Sequence, residues 1–410
     1  MSKVNRRFFL QKVATGVASV GLLGTKIDTK ASTGQTDNPD VYKGSVIMRT
    51  LGRTGFKLPI VSMGVMNADN PALISESYKL GMRHYDTAWV YQAGRNEQMV
   101  GNVIKDNNLD RESLIIGTKI VPHAGPDRES TGKETKDIFL SRFQESLERL
   151  QLDYVDILYL HNVQTIEMAT NPYIIEALTE LKDKKQIKFT GISTHVYWPD
   201  ILNITADSGF YDVALITYNY SMAGVQEIED AMKNAVSKGM GLIAMKTQCQ
   251  QDWFKENLPD DLKRLYEGKM MNTALLKWVL NNEFITTAVP GFTTFQQMEE
   301  DFSVASDLSY SDEEKKFLDD RNVKLAIQGN CQLCGKCLAT CPFKVNIPDL
   351  MRTHMYATSY GNSFKAKETL LSIPSDRGLE KCNICNECIA SCIRSVKIAK
   401  RIKDLKVLYS

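Results

Sequence analysis

Eight short apolar runs alternate with longer amphipathic ones through the middle of this chain, and few folds accept such a pattern. The strand-like runs are Leu58–Val65, Arg83–Ala88, Leu114–Ile120, Val155–His161, Ile187–Thr194, Val213–Tyr218, Gly241–Thr247 and Ile285–Pro290. Helical spacing fills the intervals: Lys136–Leu150 places Phe139, Phe143, Leu147 and Leu150 on one face, and Ala223–Ser237 and Asn272–Asn281 read similarly. Eight strand–helix units over roughly 250 residues is the expectation for a parallel (β/α)8 TIM barrel, here spanning about residues 46–310. A doubly wound sheet would carry a G-x-G-x-x-G loop after its first strand. Ser62-Met63-Gly64-Val65-Met66 does not match that spacing.

The carboxyl-terminal part carries a different signal. Eight of the nine cysteines form two runs, Cys331, Cys334, Cys337, Cys341 and Cys382, Cys385, Cys388, Cys392, each reading C-x2-C-x2-C-x3-C. This is the spacing of bacterial ferredoxins, in which three thiolates of a run hold one [4Fe-4S] cluster and the fourth reaches the other. It assigns Cys331, Cys334, Cys337 and Cys392 to one cluster, and Cys382, Cys385, Cys388 and Cys341 to the second. Pro342 follows Cys341 as the pattern asks, whereas Ile393 follows Cys392. Disulfides suit an oxidising compartment, and four-cysteine zinc sites come as separated pairs; the doubled run favours two clusters over both. Residues 329–410 are thus expected to form a small ferredoxin-like iron–sulfur domain, joined to the barrel by a connecting helix over 311–328.

The amino terminus reads as a targeting segment. Asn5-Arg6-Arg7-Phe8-Phe9-Leu10-Gln11-Lys12 sets paired arginines before aromatics, and a modestly apolar stretch, Val13 to Leu23, follows. That layout is a twin-arginine export signal, too short and polar to span a bilayer. Thr29-Lys30-Ala31 offers a cleavage site, giving a signal over 1–31, a polar linker over 32–45 and a periplasmic or otherwise exported destination reached through the twin-arginine machinery. The 410 residues are 43% hydrophobic and carry a formal charge of +1. That balance supports a large core and gives no electrostatic drive toward nucleic acid.

A barrel presents its chemistry at the carboxyl ends of its strands. Asp86 ends the second strand and Tyr91 follows five residues on; Lys119 ends the third and His161 the fourth. Four groups of complementary acid–base character should meet at one mouth. The same segments are similar to those of aldo/keto reductases. Met48-Arg49-Thr50-Leu51-Gly52-Arg53-Thr54-Gly55 resembles the opening hairpin of that family. Asp86 to Tyr91, continuing to Asn96-Glu97 and Gly101, resembles its signature, and Gly117-Thr118-Lys119, Leu160-His161 and Gly191-Ile192-Ser193 extend the likeness over about 46–308. With the export signal and the cysteine tail, the whole resembles an exported iron–sulfur branch of the superfamily.

The resemblance implies hydride transfer between a nicotinamide, NADP or NAD, and a small carbonyl or alcohol substrate. Tyr91 is then the general acid, Lys119 lowers its pKa, Asp86 holds Lys119, and His161 orients the substrate oxygen. The family's cofactor positions fall on Ser193, Thr194, Met245, Lys246, Gly291, Gln297 and Glu300. Met245 replaces a stacking aromatic, and Gly291 and Gln297 stand where a 2′-phosphate clamp often lies. His84, His123, His195 and His354 receive no role, although His195 follows the cofactor strand and could touch substrate; Cys249 reads as packing. A nicotinamide moves two electrons and a cluster one, so direct coupling between them needs a flavin or a radical step, and no flavin motif is present. The clusters are expected to exchange electrons with a redox partner protein. The competing class is a non-catalytic electron-transfer or interaction protein on a retired reductase barrel, which has no reason to keep all four mouth residues.

Overall fold

The first apolar run divides into two strands. In the computed structural model, which describes residues 45–122, 132–248, 269–328, 331–385 and 387–409, β2 (Lys57–Pro59) pairs antiparallel with β1 (Met48–Thr50). The barrel opens only afterwards, with β3 (Met63–Gly64). Leu51, Phe56 and Leu58 of this hairpin pack with Ile157, Phe189, Val213, Leu215 and Ile243 inside the barrel, closing its floor. Gly52 turns the hairpin at φ +48, where a Cβ would fall 2.4 Å from the Gly241 amide nitrogen, so only glycine fits. The export signal, nearly all of the linker, His123 and Cys249 lie outside the described residues.

Seven further strands follow: β4 (His84–Asp86), β5 (Ile115–Ile120), β6 (Val155–Leu160), β7 (Ile187–Thr194), β8 (Val213–Thr217), β9 (Gly241–Met245) and β10 (Thr287–Ala288). All eight barrel strands are parallel and stand in sequence order. The ring closes between its ends. Ser62 N donates to Ala288 O at 2.8 Å, Ala288 N to Ile60 O at 2.9 Å, and Gly64 N to Pro290 O at 3.1 Å. Helices coat the outside through one continuous apolar layer. Lys133–Leu150 buries Phe139, Phe143, Leu147 and Leu150, the face its spacing predicts. None of the described helices is long and apolar enough to cross a membrane.

The connecting helix is two helices, Asp312–Asp319 and Arg321–Gln328. Asp320 between them is extended (φ −61, ψ 127). Its carboxylate accepts from Val323 N at 3.2 Å, the side-chain competition that makes aspartate a better cap than a helix interior residue.

Beyond it, helices Ile347–Thr358, Ser363–Leu371 and Ile398–Tyr409 surround a small core of Val345, Leu350, Met351, Ile398, Ile402 and Leu405, with six of the run cysteines packed on it. Barrel and tail form one compact unit. The tail sits over the carboxyl-terminal mouth of the barrel. Arg352 donates to Asn162 Oδ1 (2.8 Å), Asn362 to Asn67 Oδ1 (2.8 Å), and Gln332 and Arg394 to Ser221 O (2.5 and 3.1 Å).

Candidate active site beneath the tail

β4 and β5 are neighbours in register, so the side chains at their ends point into one space. Lys119 Nζ lies 2.6 Å from Asp86 Oδ2, 2.6 Å from Thr87 O and 3.3 Å from the Tyr91 hydroxyl. The pair is almost sealed from solvent, with side-chain exposures of 1% and 5%. His161 follows β6 directly, its ring edge-on to Tyr91 with centroids 6.0 Å apart. The four residues chosen from the sequence therefore meet at one place.

The loop that presents Tyr91 is strained and heavily braced. Gln92 and Ala93 hold left-handed φ values of 51 and 55, a conformation that costs about 1–3 kcal/mol for each non-glycine residue. Asn96 compensates from inside, donating to Val65 O at 2.7 Å while accepting from Thr87 Oγ1 at 2.7 Å. Buried Glu97 accepts from Thr118 Oγ1 at 2.6 Å and meets Arg149 at 3.4 Å. The Asn-Glu part of the sequence signature thus fixes where the phenol stands.

Burial is the leading electrostatic influence on each of these groups. It pushes the Asp86 carboxyl up and the Lys119 amine down, and each partner's charge opposes that shift. Tyr91 is held well above 10 by burial first, then by the charges of Asp86 and Glu368. The expected lowering by Lys119 is not what this environment produces: two carboxylates and a dry site outweigh one ammonium at 3.3 Å.

A cleft of about 230 Å3 runs from Asp86 and Tyr91 past Met245 and Lys246 to Gly291 and Gln297. Four of the seven predicted cofactor positions line it. Ser193 and Thr194 are buried and do not line it; the Ser193 hydroxyl accepts from Asn162 N at 3.1 Å. Glu300 lies on the helix Phe295–Ser303 and accepts from Gln296 at 2.9 Å. Gln297 is engaged at the start of the same helix, accepting from Thr293 N at 2.9 Å. The cleft and a helix amino terminus at its far end fit a dinucleotide.

Sequence reasoning marked His195 only as a residue after the cofactor strand that could touch substrate, and did not foresee where the tail docks. His195 lines this cleft and a second of about 270 Å3 that also reaches His161. Tyr356 and Tyr360 cover the first, and Lys246 donates to the Tyr356 hydroxyl at 2.9 Å. Arg352, Lys365 and Glu368 wall the second. No spacing rule announces where a carboxyl-terminal segment docks.

Cys341 joins Cys382, Cys385 and Cys388 around a cavity of about 520 Å3. Cys392 interacts electrostatically with Cys331 and Cys337, and Cys334 with Cys337. None is in a disulfide. Among the described residues no three His, Cys, Asp or Glu are disposed for a single metal ion. Four thiols facing a cavity suit a cluster instead, where each thiolate binds a different iron. Burial pushes the Cys331 thiol up to about 12 and those of Cys337 and Cys382 up to about 11.

The profile of the aldo/keto reductase family matches residues 63–322. The chain belongs to that family. This reductase is similar to L-galactose dehydrogenase of Arabidopsis thaliana, 28% identical over 293 residues, 64% of this chain and 88% of the relative. It is similar also to L-glyceraldehyde 3-phosphate reductase of Escherichia coli O157:H7, 26% identical over 333 residues, 69% and 94% of the two chains. Among solved structures, an aldo-keto reductase from Bacillus halodurans in holo form shares the fold, with TM-score 0.52, 20% identity and 69% and 96% coverage. One from Klebsiella pneumoniae in complex with NADPH does so with TM-score 0.51, 21% identity and 67% and 94% coverage. The chain is therefore an oxidoreductase of aldo/keto reductase type. The family match ends before the first cysteine run.

Proposed function

We propose that the reductase interconverts a carbonyl and an alcohol on a small substrate at the Tyr91 hydroxyl, with NADP or NAD held between Met245 and Gln297. The observation that carries this reading is the buried Lys119–Asp86 pair beneath the phenol. A bound nicotinamide supplies or accepts the hydride. Tyr91 stays protonated until negative charge develops on the substrate oxygen, then donates its proton there. The Lys119 ammonium, already donating to the Tyr91 oxygen, stabilises the phenolate left behind, and Asp86 and Thr87 O fix that ammonium. His161 stands where its ring can hold the substrate oxygen against Tyr91. Gln297 and Gly291 would contact the dinucleotide, and among the described residues lining the cleft no arginine stands ready to clamp a 2′-phosphate.

The same proposal places two [4Fe-4S] clusters in the tail, on the crossed cysteine sets, to supply one-electron transfer to a redox partner protein. It also places the mature protein in the periplasm, exported through the twin-arginine route. The test is anaerobic purification from the native compartment followed by assay of dinucleotide oxidation with a panel of aldehydes and ketones. Carbonyl-dependent oxidation that vanishes in Tyr91→Phe supports the reading; dinucleotide oxidation indifferent to carbonyl compounds contradicts it. For export, Arg6→Lys with Arg7→Lys should strand folded protein in the cytoplasm, and normal periplasmic accumulation of that variant would refute the signal.

A further inference from the structure

Resting on the reductase reading, the second cleft shows what kind of carbonyl compound reaches Tyr91. Three cations from two parts of the chain converge where it meets the first cleft at His195 and Tyr356: Arg352 and Lys365 wall the second cleft, and Lys246 lines the first. Lys246 comes from the end of β9, Arg352 and Lys365 from the tail. Burial first, and then the charges of Arg352 and Lys365, hold the Lys246 amine well below its usual pKa, and burial followed by all three cations does the same to His195. Lys365 Nζ also stands 5.2 Å over the Tyr91 ring, which ties this cluster to the reacting centre.

Their compensation is incomplete. Arg352 pairs with Asp349 at 2.9 Å and Lys365 with Glu368 at 2.5 Å. Lys246 meets no carboxylate among the described residues and donates only to the Tyr356 hydroxyl. Two buried polar atoms at the same place have no hydrogen-bond partner among the described residues: Nδ1 of His195, which is 8% exposed, and Nε of Arg352, whose side chain is 6% exposed. Burying charged groups costs several kcal/mol per ion unless something repays it, and apolar residues would hold the tail down equally well. An excess positive charge over open donors, in a cleft that reaches His161, is arranged for an anion.

We propose that the substrate is a carbonyl compound bearing a carboxylate, and that Arg352 and Lys365 of the tail, with Lys246 and His195 of the barrel, hold that carboxylate. The substrate site is then composite: the barrel supplies the chemistry and the cysteine-bearing tail supplies the recognition. The carbonyl lies toward Tyr91 and His161, the carboxylate toward His195 and Arg352. A guanidinium can meet it in two parallel hydrogen bonds, a geometry that lysine does not reproduce.

The experiment uses the full chain with its bound groups and two readouts. Calorimetric titration with succinate, against its diamide, measures recognition without turnover. Steady-state reduction of 4-oxobutanoate against butanal measures it in the reaction. The wild type should bind succinate at least tenfold more tightly than the diamide and prefer 4-oxobutanoate by at least tenfold in kcat/KM. Arg352→Gln should collapse both ratios, chiefly through KM, and Arg352→Lys should restore them only in part. Lys365→Met, with Glu368→Leu to keep the pair balanced, should do the same and guards against a folding defect at Arg352. Equal binding of succinate and diamide overturns the proposal even where butanal is reduced, and leaves the reductase reading standing. Preference for glyceraldehyde 3-phosphate over 4-oxobutanoate, lost in Arg352→Gln, would overturn the carboxylate in favour of a phosphate.

Discussion

The Lys246 ammonium at the end of β9 donates to the Tyr356 hydroxyl of the tail at 2.9 Å, so the barrel's mouth is roofed by the segment that carries the cysteines. The clefts proposed for substrate and dinucleotide therefore share their walls with the tail. What the tail does to turnover and what it does to stability are consequently coupled.

Tyr91→Phe keeps the ring and removes the only proton it can give. Turnover of a confirmed carbonyl substrate should fall at least about a hundredfold, the low end for general acid catalysis. Dinucleotide affinity, measured by fluorescence titration, should change little. Full activity in this variant would move the chemistry elsewhere.

Lys119→Met strands the Asp86 carboxylate in a dry site. Unfolding in urea should show a loss of about 3–5 kcal/mol, the usual cost of leaving a buried charge unpaired. Adding Asp86→Leu should recover most of the stability and none of the activity. A double variant no more stable than the single one would mean that the pair contributes packing rather than mutual charge compensation.

These residues also show how much the sequence disclosed. The barrel was legible because eight apolar runs must be buried on both faces, and the mouth residues were legible because strand ends fix them. The hairpin was harder, since Leu58–Val65 reads as one run although Pro59 ends its first part. Asp320 broke a helix that periodicity alone carries through. The tail's position was not legible, because it rests on single contacts such as Arg352–Asn162, 190 residues apart, which no local pattern encodes. The elevated Tyr91 pKa escaped because its leading cause is burial, which no local pattern reports, with the charges of Asp86 and then Glu368 adding to it.

His84 makes a pH prediction. Burial, and then the charge of Lys119, lower its pKa from 6.5 to about 3, and neither ring nitrogen has a hydrogen-bond partner. The folded state refuses a proton that the unfolded chain accepts. Its stabilising contribution is complete above pH 6.5, is lost as pH falls, and stops changing near pH 3, at about 1.4 kcal/mol per unit. Comparing wild type with His84→Leu in denaturant across that window should show a steeper acid loss in the wild type. Parallel curves would place a proton on folded His84.

The crossed cysteine sets predict a selective lesion. Protein purified without oxygen should hold about eight iron atoms. Cys341→Ser should disturb the cluster otherwise held by Cys382, Cys385 and Cys388, although Cys341 belongs to the other run. Iron near zero with stoichiometric zinc would end the cluster assignment, and loss of the first cluster instead would undo the crossing.

The central claim is hydride transfer to a carbonyl carbon in the cleft beneath the tail. The most direct measurement supplies dinucleotide carrying deuterium at the transferable position together with 4-oxobutanoate, and locates the label in the product by mass spectrometry and NMR. The account predicts one deuterium on the carbon bearing the new hydroxyl, and none in the same reaction with Tyr91→Phe over the time of wild-type turnover. An alcohol whose new hydrogen comes from solvent, with the label left on the dinucleotide, would contradict it.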